Sequence, residues 1–318
     1  MWFISIFAVI LIVMLVSGYT MMRWCRLPIA RFLTWTTLIL GTYGIDTLAH
    51  SEPAGIRMIV LIIFALIGMK VIVTIEERAR GMPPLTYAAW LCFTMTWLGM
   101  KPRLFVAAGS SRLSEAHELI RLGIVHMILG AILITIAWVT WNSTQSRWIA
   151  TFFLLPGLSL LVHFGICNLL AGAWRLRGIA CEALFRAPLR SQNLSEFWAR
   201  RWNLAFSEMT AIAVYRPLAE RLGRGCALMA GFALSGILHE IAISLPVRAG
   251  FGLPLLYFIL HGTLVLFERA LERAGHPLSG WGGRIWTMFW LVAPLPILFH
   301  QPFLAGVIWP LIDIPPRN

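Results

Sequence analysis

The stretch "CALMAGFALSGILHEIAISL" covers residues 226–245 and is apolar over most of its length, but His239 and Glu240 stand side by side within it. Roughly twenty apolar residues in an α-helix rise about 30 Å, which is the thickness of the hydrocarbon core of a bilayer. The stretch therefore predicts a transmembrane helix. An ionisable side chain near the bilayer centre costs about 2.5 kcal/mol or more, so this pair of residues indicates a functional site.

The composition extends this interpretation to the whole chain. Hydrophobic residues make up 59% of the 318 positions and charged residues only 13%, whereas soluble domains carry about 25% charged residues. Apolar runs long enough to cross a bilayer lie at about 2–20, 29–49, 55–75, 119–141, 148–172, 222–246, 251–268 and 285–310, and a marginal one lies at 85–100. We predict an all-α, polytopic integral membrane protein with about 8–9 transmembrane helices. No repeat or soluble module interrupts the pattern, so residues 1–318 are expected to form a single domain.

The charge distribution predicts the orientation. The chain carries 26 Lys plus Arg and 14 Asp plus Glu, a net charge of +12, and basic residues of membrane proteins concentrate in cytoplasmic loops. The cations at 23–31 place the first loop inside and the N-terminus outside, and segments 101–118 and 173–224 are predicted to be cytoplasmic as well. The short run 85–100 lies between basic flanks, so it is expected to be re-entrant or tilted. We expect the chain to lie among the lipids of the cell membrane, inner or plasma. The sequence has no long basic run, so nucleic acid is not expected as a partner.

The segment "NLSEFWARRWN" at 193–203 combines aromatic and basic residues at helical spacing. In a helix, Trp198 and Trp202 share one face, and Arg200 and Asn203 are neighbours. Tryptophan and arginine at the border of a helix and the headgroups are typical of a membrane anchor. Asn203 contributes nothing to anchoring, so it favours a functional interpretation.

Together with "YRPL" (215–218) and "SGILHE" (235–240), this segment resembles the wax-synthase branch of the membrane-bound O-acyltransferase superfamily. That branch carries an FWxRRWN element, then an RP step, then a transmembrane helix with SGxxHE. The motif region is 193–258, and weaker similarity to bacterial relatives lies at 97–105 and 243–258. The resemblance implies transfer of a fatty acyl group from acyl-CoA to a hydroxyl of a lipid or alcohol, inside a central catalytic chamber. It implies His239 as the catalytic centre and Asn203 as its helper. Candidate substrate-binding residues are Trp198, Arg200, Arg201, Trp202, Ser235, Gly236 and Glu240.

Elementary chemistry supports the same assignment. Acyl transfer to an alcohol needs a base for the hydroxyl proton and a donor for the tetrahedral oxyanion. A neutral histidine suits the first task, and burial at membrane depth favours its neutral form. The amide of Asn203 or a backbone N–H suits the second. We therefore predict His239 as the general base with Asn203 assisting.

The neighbours of His239 receive roles from helical geometry. Ser235 lies one turn earlier on the same face, so its hydroxyl is expected to orient the imidazole. Gly236 is expected to leave room for a substrate. Glu240 points elsewhere, and we expect it to pair with an arginine of another helix.

Asn203 and His239 can meet only if the chain after Asn203 dips below the membrane surface. The stretch "AFSEMTAIAVYRPL" (205–218) is apolar enough to do so, and Pro217 is expected to end the dip. The basic residues of 173–224 are where the phosphates of CoA would be bound.

Other protein classes remain open. No GxSxG or metal-binding motif is present, and the five cysteines are scattered; we expect no metal and no cofactor besides acyl-CoA as co-substrate. A helical haem protein is one alternative, since further histidines lie in apolar runs: His126, His163, His261 and His300. A membrane transporter is another, because charged residues lie there too: Asp46, Lys70, Glu208 and Glu268. His239 as a purely structural histidine is a third. Acceptor, acyl length and oligomeric state stay open.

Overall fold

The structure, a computed structural model, describes residues 2–106, 109 and 113–314 and is all-α over these ranges. The α-helices are α1 (Trp2–Trp24), α2 (Leu27–Leu48), α3 (Ala54–Ala79), α4 (Tyr87–Leu91), α5 (Ala116–Thr144), α6 (Arg147–Ser159), α7 (Cys167–Leu176), α8 (Leu194–Glu196), α9 (Leu204–Thr210), α10 (Arg216–His239), α11 (Leu245–Val247), α12 (Leu253–Arg273), α13 (Gly280–Val292), α14 (Leu295–Leu298) and α15 (Gln301–Phe303). The π-helical turns are Cys92–Thr96, Leu160–Ile166, Phe197–Arg201, Ala211–Tyr215, Glu240–Ser244 and Leu304–Ile308, and the 3₁₀ turns are Pro102–Phe105, Pro188–Arg190 and Trp309–Ile312.

Six helical segments of the described chain are long and apolar enough to cross a bilayer: Trp2–Trp24, Ala54–Ala79, Ala116–Thr144, Arg147–Leu176, Leu204–Val247 and Leu253–Arg273. A seventh would be the pair Gly280–Leu298 and Gln301–Ile312, which is bent by 67°. The prediction of an all-α polytopic membrane protein is confirmed, whereas the count of 8–9 is not.

Two of the predicted runs account for the difference. The run at 29–49 forms α2, which is long enough but carries five threonines besides Arg31 and Asp46, so it is less apolar than the six. The run at 85–100 contains only ten helical residues, from Tyr87 to Thr96. Ten residues rise about 15 Å, half of the hydrocarbon core, so this segment does not cross by itself.

Helix α3 occupies the centre of the molecule and is the most buried of the candidate spans. Helices α1 and α2 pack beside it. A separate antiparallel pair is formed by α5 and the span from α6 to α7, whose backbones approach closely at glycines. A Cβ atom at Gly130 would lie 2.8 Å from the carbonyl oxygen of Gly157. Small residues of this kind let membrane helices pack backbone against backbone.

The basic loops gather at one end of the molecule. Arg31 pairs with Glu76 at 2.7 Å, which joins the start of α2 to the end of α3. The guanidinium of Arg175 donates to the carbonyl of Ser114 at 2.8 Å. The loop 101–118 and the segment 173–224 therefore lie together, although residues 107, 108 and 110–112 fall outside the described part.

The opposite end is closed by a different ion pair. Arg57 at the start of α3 contacts Asp46 near the end of α2, with 2.6 Å between nitrogen and oxygen, and also donates to the carbonyl of Pro246. We call these regions the basic end and the far end.

The backbone after Asn203 differs from its predicted course. Helix α9, the π turn Ala211–Tyr215 and α10 follow without interruption, and Pro217 lies in the first turn of α10. Proline lacks the backbone N–H that a helix uses, and here it stands just after the π turn. The break comes instead at Gly223, with φ 81° and ψ 162°, a conformation that favours glycine. The prediction that Pro217 ends the dip is therefore wrong.

Accessibility labelling tests the arrangement of the two ends. In a background without the native cysteines, we expect Leu113→Cys and Leu189→Cys to react with an impermeant maleimide from one side of the membrane and Phe251→Cys from the other. The first two positions belong to the basic end, and Phe251 lies in the loop at the far end. Labelling of Leu113→Cys and Leu189→Cys from opposite sides would contradict the fold. If both react from the same side, that side shows whether segments 101–118 and 173–224 face the cytoplasm, as predicted.

Candidate active site

His239 is the last residue of α10, immediately before the π turn Glu240–Ser244. Its Nδ1 lies 2.7 Å from the carbonyl oxygen of Ser235. A carbonyl only accepts, so Nδ1 carries the proton and donates, which leaves a lone pair on Nε2. Nε2 has no hydrogen-bond partner within the described chain and is not among its enclosed, unpartnered polar atoms. His239 therefore keeps a nitrogen with a free lone pair that is not fully enclosed.

Aromatic side chains form the walls around this imidazole. The ring of Phe258 on α12 lies 4.3 Å from the ring of His239 between centroids, and that of Phe206 on α9 lies 5.3 Å away. The histidine is thus enclosed between α9, α10 and α12, and the surroundings of its free nitrogen are largely apolar. Such surroundings strengthen any hydrogen bond made there.

Asn203 stands at the entrance to α9 in the left-handed conformation, with φ 44° and ψ 64°. Asparagine adopts this region more readily than most residues. Its backbone carbonyl accepts from the N–H groups of Phe206 and Ser207, but its side-chain amide has no partner among the described residues. The chain does turn inward here, since Phe206, three positions later, contacts His239. That the amide and the imidazole share one chamber stays a prediction.

The two tryptophans of the motif contact aromatic residues of the protein interior. Trp202 stacks on Phe197 with 5.5 Å between centroids and meets Phe185 edge-on at 5.0 Å. Trp198 packs against Phe258 at 5.5 Å and against His261 at 5.4 Å. Phe258 also touches His239. These contacts favour a role in shaping the site over the alternative of a membrane anchor.

The two arginines of the motif have different surroundings. Arg201 pairs with Glu196 at 2.6 Å and so stabilises the local turn. Burial opposes ionisation of Glu196, but hydrogen bonds from the backbone of Gln192 and from Arg201 outweigh it and lower the pKa of Glu196. Arg200 is exposed and makes no ion pair or hydrogen bond with another described residue. The prediction that both arginines bind substrate thus has support in the geometry only for Arg200.

Arg200 lines a cavity of about 670 Å³ at the basic end. We call it the basic cavity. Its charged lining residues are Glu77, Lys101, Arg103, Glu182, Arg186, Arg200, Glu208 and Arg216. The carboxylates take up most of the positive charge: Glu77 binds Arg103 and Arg216, Glu208 binds Lys101, and Glu182 binds Arg186. Arg200 is left as the one basic lining residue without a carboxylate partner in the described chain.

Ser235, Gly236 and Glu240 have other contacts than predicted. The hydroxyl of Ser235 donates to the carbonyl of Gly231, and it is the backbone carbonyl of Ser235 that orients the imidazole. A Cβ atom at Gly236 would lie 2.7 Å from the side chain of Leu255, so this glycine allows α10 to approach α12 instead of leaving room for substrate. The expected roles of both residues were therefore wrong.

Glu240 makes no ion pair within the described residues. Its Oε1 accepts from the backbone N–H groups of Gly252 and Leu255, at 2.9 and 3.0 Å, and so caps the start of α12. The first N–H groups of a helix lack intrahelical partners, and Oε1 of Glu240 satisfies them, while its Oε2 is buried without a partner in the described chain. The expected pairing with an arginine was wrong.

The charged residues that favoured a transporter all have partners in the protein. These contacts are Asp46 with Arg57, Lys70 with the carbonyls of Phe93 and Gly99, Glu208 with Lys101, and Glu268 with the N–H groups of Leu194 and Ser195. Each contact joins two parts of the fold, which weakens the interpretation as an ion pathway. Within the described ranges no group of three or more His, Cys, Asp or Glu could hold a metal ion.

Sequence reasoning missed two features of the site. The basic cavity takes part of its wall from Lys101, Arg103 and their neighbours, for which the weak similarity at 97–105 was the available signal. His163 had been considered only as a haem ligand, yet it packs against Trp202 of the motif, with 5.7 Å between ring centroids. No spacing in the sequence connects these two residues.

The architecture and the site define a polytopic helical membrane protein with a histidine at membrane depth beside a charged cavity. Residues 181–260 match the model of the membrane bound O-acyl transferase family. The probable long-chain-alcohol O-fatty-acyltransferase 6 of Arabidopsis thaliana is 30% identical over 139 residues, 38% of this chain and 40% of that protein. The long-chain-alcohol O-fatty-acyltransferase of Simmondsia chinensis is 29% identical over 106 residues, 30% of each chain. The probable long-chain-alcohol O-fatty-acyltransferase 2 of Arabidopsis thaliana is 34% identical over 107 residues, 31% of each chain.

The predicted resemblance to the membrane-bound O-acyltransferase superfamily, and to its wax-synthase-like members, is thereby confirmed. The matched region includes Asn203, His239 and all of the candidate substrate-binding residues. The chain spans less than half the length of the curated relatives that it matches.

The capping role of Glu240 can be measured. Glu240→Ala leaves two N–H groups of α12 without their acceptor, and loss of a helix cap typically costs about 1 kcal/mol. We expect a thermal midpoint about 2 °C or more below that of the wild type in detergent. Glu220→Ala is the matched control, because Glu220 lies on the same α10, is exposed and has no partner among the described residues. Equal midpoints for the two variants would contradict the assignment.

Proposed function

We propose that the protein is a membrane-bound O-acyltransferase that moves a fatty acyl group from acyl-CoA to the hydroxyl of a lipid or alcohol. The observation that carries the proposal is the free Nε2 of His239, whose Nδ1 is held by the carbonyl of Ser235 at 2.7 Å within the region that matches the acyltransferase family. A transporter or a haem protein would not require this arrangement.

His239 acts as the general base. Its Nε2 takes the proton of the acceptor hydroxyl, and the oxygen attacks the thioester carbonyl to form a tetrahedral intermediate with a negative oxygen. The amide of Asn203, which lacks a partner in the described structure, donates a hydrogen bond to that oxygen. The intermediate then expels the thiolate of CoA, which receives the proton from the imidazolium of His239. The products are the ester and free CoA, and the histidine returns to its starting state.

The basic cavity receives the CoA portion of the donor. Its volume of about 670 Å³ is that of a small-molecule site, and Arg200 offers it a charge that no carboxylate of the described chain neutralises. Arginine binds phosphate through two parallel hydrogen bonds. Leu204 and Ser207 of α9 line this cavity, while Phe206 of the same helix touches His239. Helix α9 therefore lies between the cavity and the histidine. The thioester reaches Nε2 by passing the end of α9 at Asn203.

The orientation follows from the same geometry. Acyl-CoA is present in the cytoplasm, and the basic cavity lies at the basic end, so we place this end in the cytoplasm and the N-terminus outside, in the inner or plasma membrane. The acyl chain and the acceptor are apolar and enter sideways from the bilayer. Relatives named long-chain-alcohol O-fatty-acyltransferases favour a long-chain alcohol as acceptor.

The role of His239 is tested by His239→Ala. Loss of a positioned general base lowers the rate about 10²-fold or more, while the thermal midpoint should stay near that of the wild type. The measurement is ester formation by purified protein from labelled acyl-CoAs and a panel of alcohols. His126→Ala serves as the control, since His126 lies on α5 and contacts Phe164 instead of the site. A His239→Ala variant that retains more than about a tenth of the rate would exclude this residue as the base.

The role of Arg200 is tested through the donor. We expect Arg200→Ala to raise the KM for acyl-CoA about tenfold with little change in kcat, because a charge-assisted hydrogen bond contributes about 1.5 kcal/mol. The KM for the alcohol should not change. Arg190→Ala is the control, because Arg190 is exposed at the same end but does not line the basic cavity. The same KM for acyl-CoA in both variants would place CoA elsewhere.

A further inference from the structure

His163 lies at membrane depth in the π turn between α6 and α7. Single π turns inside α-helices occur frequently at functional sites. The imidazole is half-buried, with the ring of Phe185 at 4.8 Å and that of Trp202 at 5.7 Å between centroids. Trp202 directly precedes Asn203. His163 thus belongs to a different helical span from His239, but it stands beside the motif that carries Asn203.

The hydrogen bond of His163 joins its imidazole to a serine hydroxyl. Nδ1 lies 3.2 Å from the hydroxyl oxygen of Ser159. The hydroxyl of Ser159 has no other hydrogen-bond partner among the described residues, so Nδ1 is the one acceptor within reach of its hydrogen. The serine therefore donates to Nδ1, and the neutral imidazole carries its proton on Nε2.

The two histidines consequently present opposite groups. His239 donates from Nδ1 to a carbonyl and offers a lone pair on Nε2. With the hydroxyl of Ser159 as the donor to its Nδ1, His163 offers an N–H at Nε2. Neither Nε2 has a protein partner in the described chain, and neither is enclosed, in contrast to Nε2 of His261, which is buried without a partner.

We propose that His163 is a second catalytic residue, which donates a hydrogen bond from Nε2–H to the carbonyl oxygen of the acyl group and stabilises the oxyanion formed during transfer. The inference rests on the proposed acyl transfer. No proton leaves His163: the proton of the hydroxyl still passes to His239 and then to the departing thiolate. His163 and the amide of Asn203 would form a pair of donors around the same oxygen, as oxyanion sites generally require.

The N–H at Nε2 of His163 has no partner among the described residues, and a substrate carbonyl can supply one. A polar group without a hydrogen bond in apolar surroundings costs about 1–3 kcal/mol, and the neighbours of His163 are aromatic. The carbonyl oxygen of the acyl group gains negative charge in the transition state, so it accepts this hydrogen bond most strongly there. An interaction that is stronger in the transition state than in the ground state raises the rate.

The experiment measures kcat and KM of purified full-length protein for an acyl-CoA and an alcohol that the wild type esterifies. We expect His163→Ala to lower kcat about 10²-fold with little change in either KM, because removal of one oxyanion donor has an effect of this size. His163→Gln keeps an N–H donor, so its kcat should be at least about tenfold higher than that of His163→Ala. Ser159→Ala frees the imidazole to carry its proton on either nitrogen and should lower kcat several-fold.

The pH profile separates a donor from a base. The profile of kcat should keep its shape in His163→Gln, since the titrating base is His239. His126→Ala, on the neighbouring α5, should match the wild type, and thermal midpoints show which variants are folded. His163→Ala with more than a third of the wild-type kcat, or a His163→Gln no better than His163→Ala, would overturn the inference while the proposed function stands. A wild type that esterifies no alcohol of the panel, with every acyl-CoA tested, would overturn both.

Discussion

Two charged side chains of α3, Lys70 and Glu77, hold the irregular parts of the chain in place around the site. Lys70 is fully buried, and its ammonium donates to the carbonyls of Phe93 and Gly99, both at 2.9 Å, while it lies over the ring of Phe93 at 4.0 Å. Carbonyls released from a helix within a bilayer must find donors inside the protein. Lys70 supplies these donors, so the short helical segment after Tyr87 can end inside the molecule.

Glu77, two turns further along α3, connects the basic end to α10, the helix that carries His239. It binds Arg103 of the 101–105 turn and Arg216 at the start of α10. Helix α10 then delivers His239 to the centre of the molecule, and the carboxylate of Glu240 fixes the start of α12, which contributes Phe258 to the wall of the site. The side chain of Glu77 is buried, so removal of its arginine partners would leave a buried charge uncompensated, which is destabilising. The position of the histidine therefore depends on ion pairs remote from it.

The sequence predicted His239 and Asn203 as site residues, because spacing within a motif is a local property. It did not identify the roles of their neighbours. Whether Gly236 faces a substrate or Leu255 depends on how α10 lies against α12. The groups that donate to Glu240 are likewise the N–H groups of Gly252 and Leu255, twelve and fifteen residues later in the chain. Helical periodicity gives the direction of a side chain but not the identity of what it meets.

Composition and apolar runs by themselves determined that the chain is a helical, polytopic membrane protein, since a bilayer admits few other structures for such a sequence. The residues that carry the acyltransferase motif were indicated by their resemblance to a known family. Only the tertiary structure decided which runs form full spans, which arginine of the motif is left free, and that His163 stands beside Trp202. The physical reason is that these properties arise from contacts between residues far apart in the chain, whose pairing depends on packing and on the satisfaction of buried polar groups.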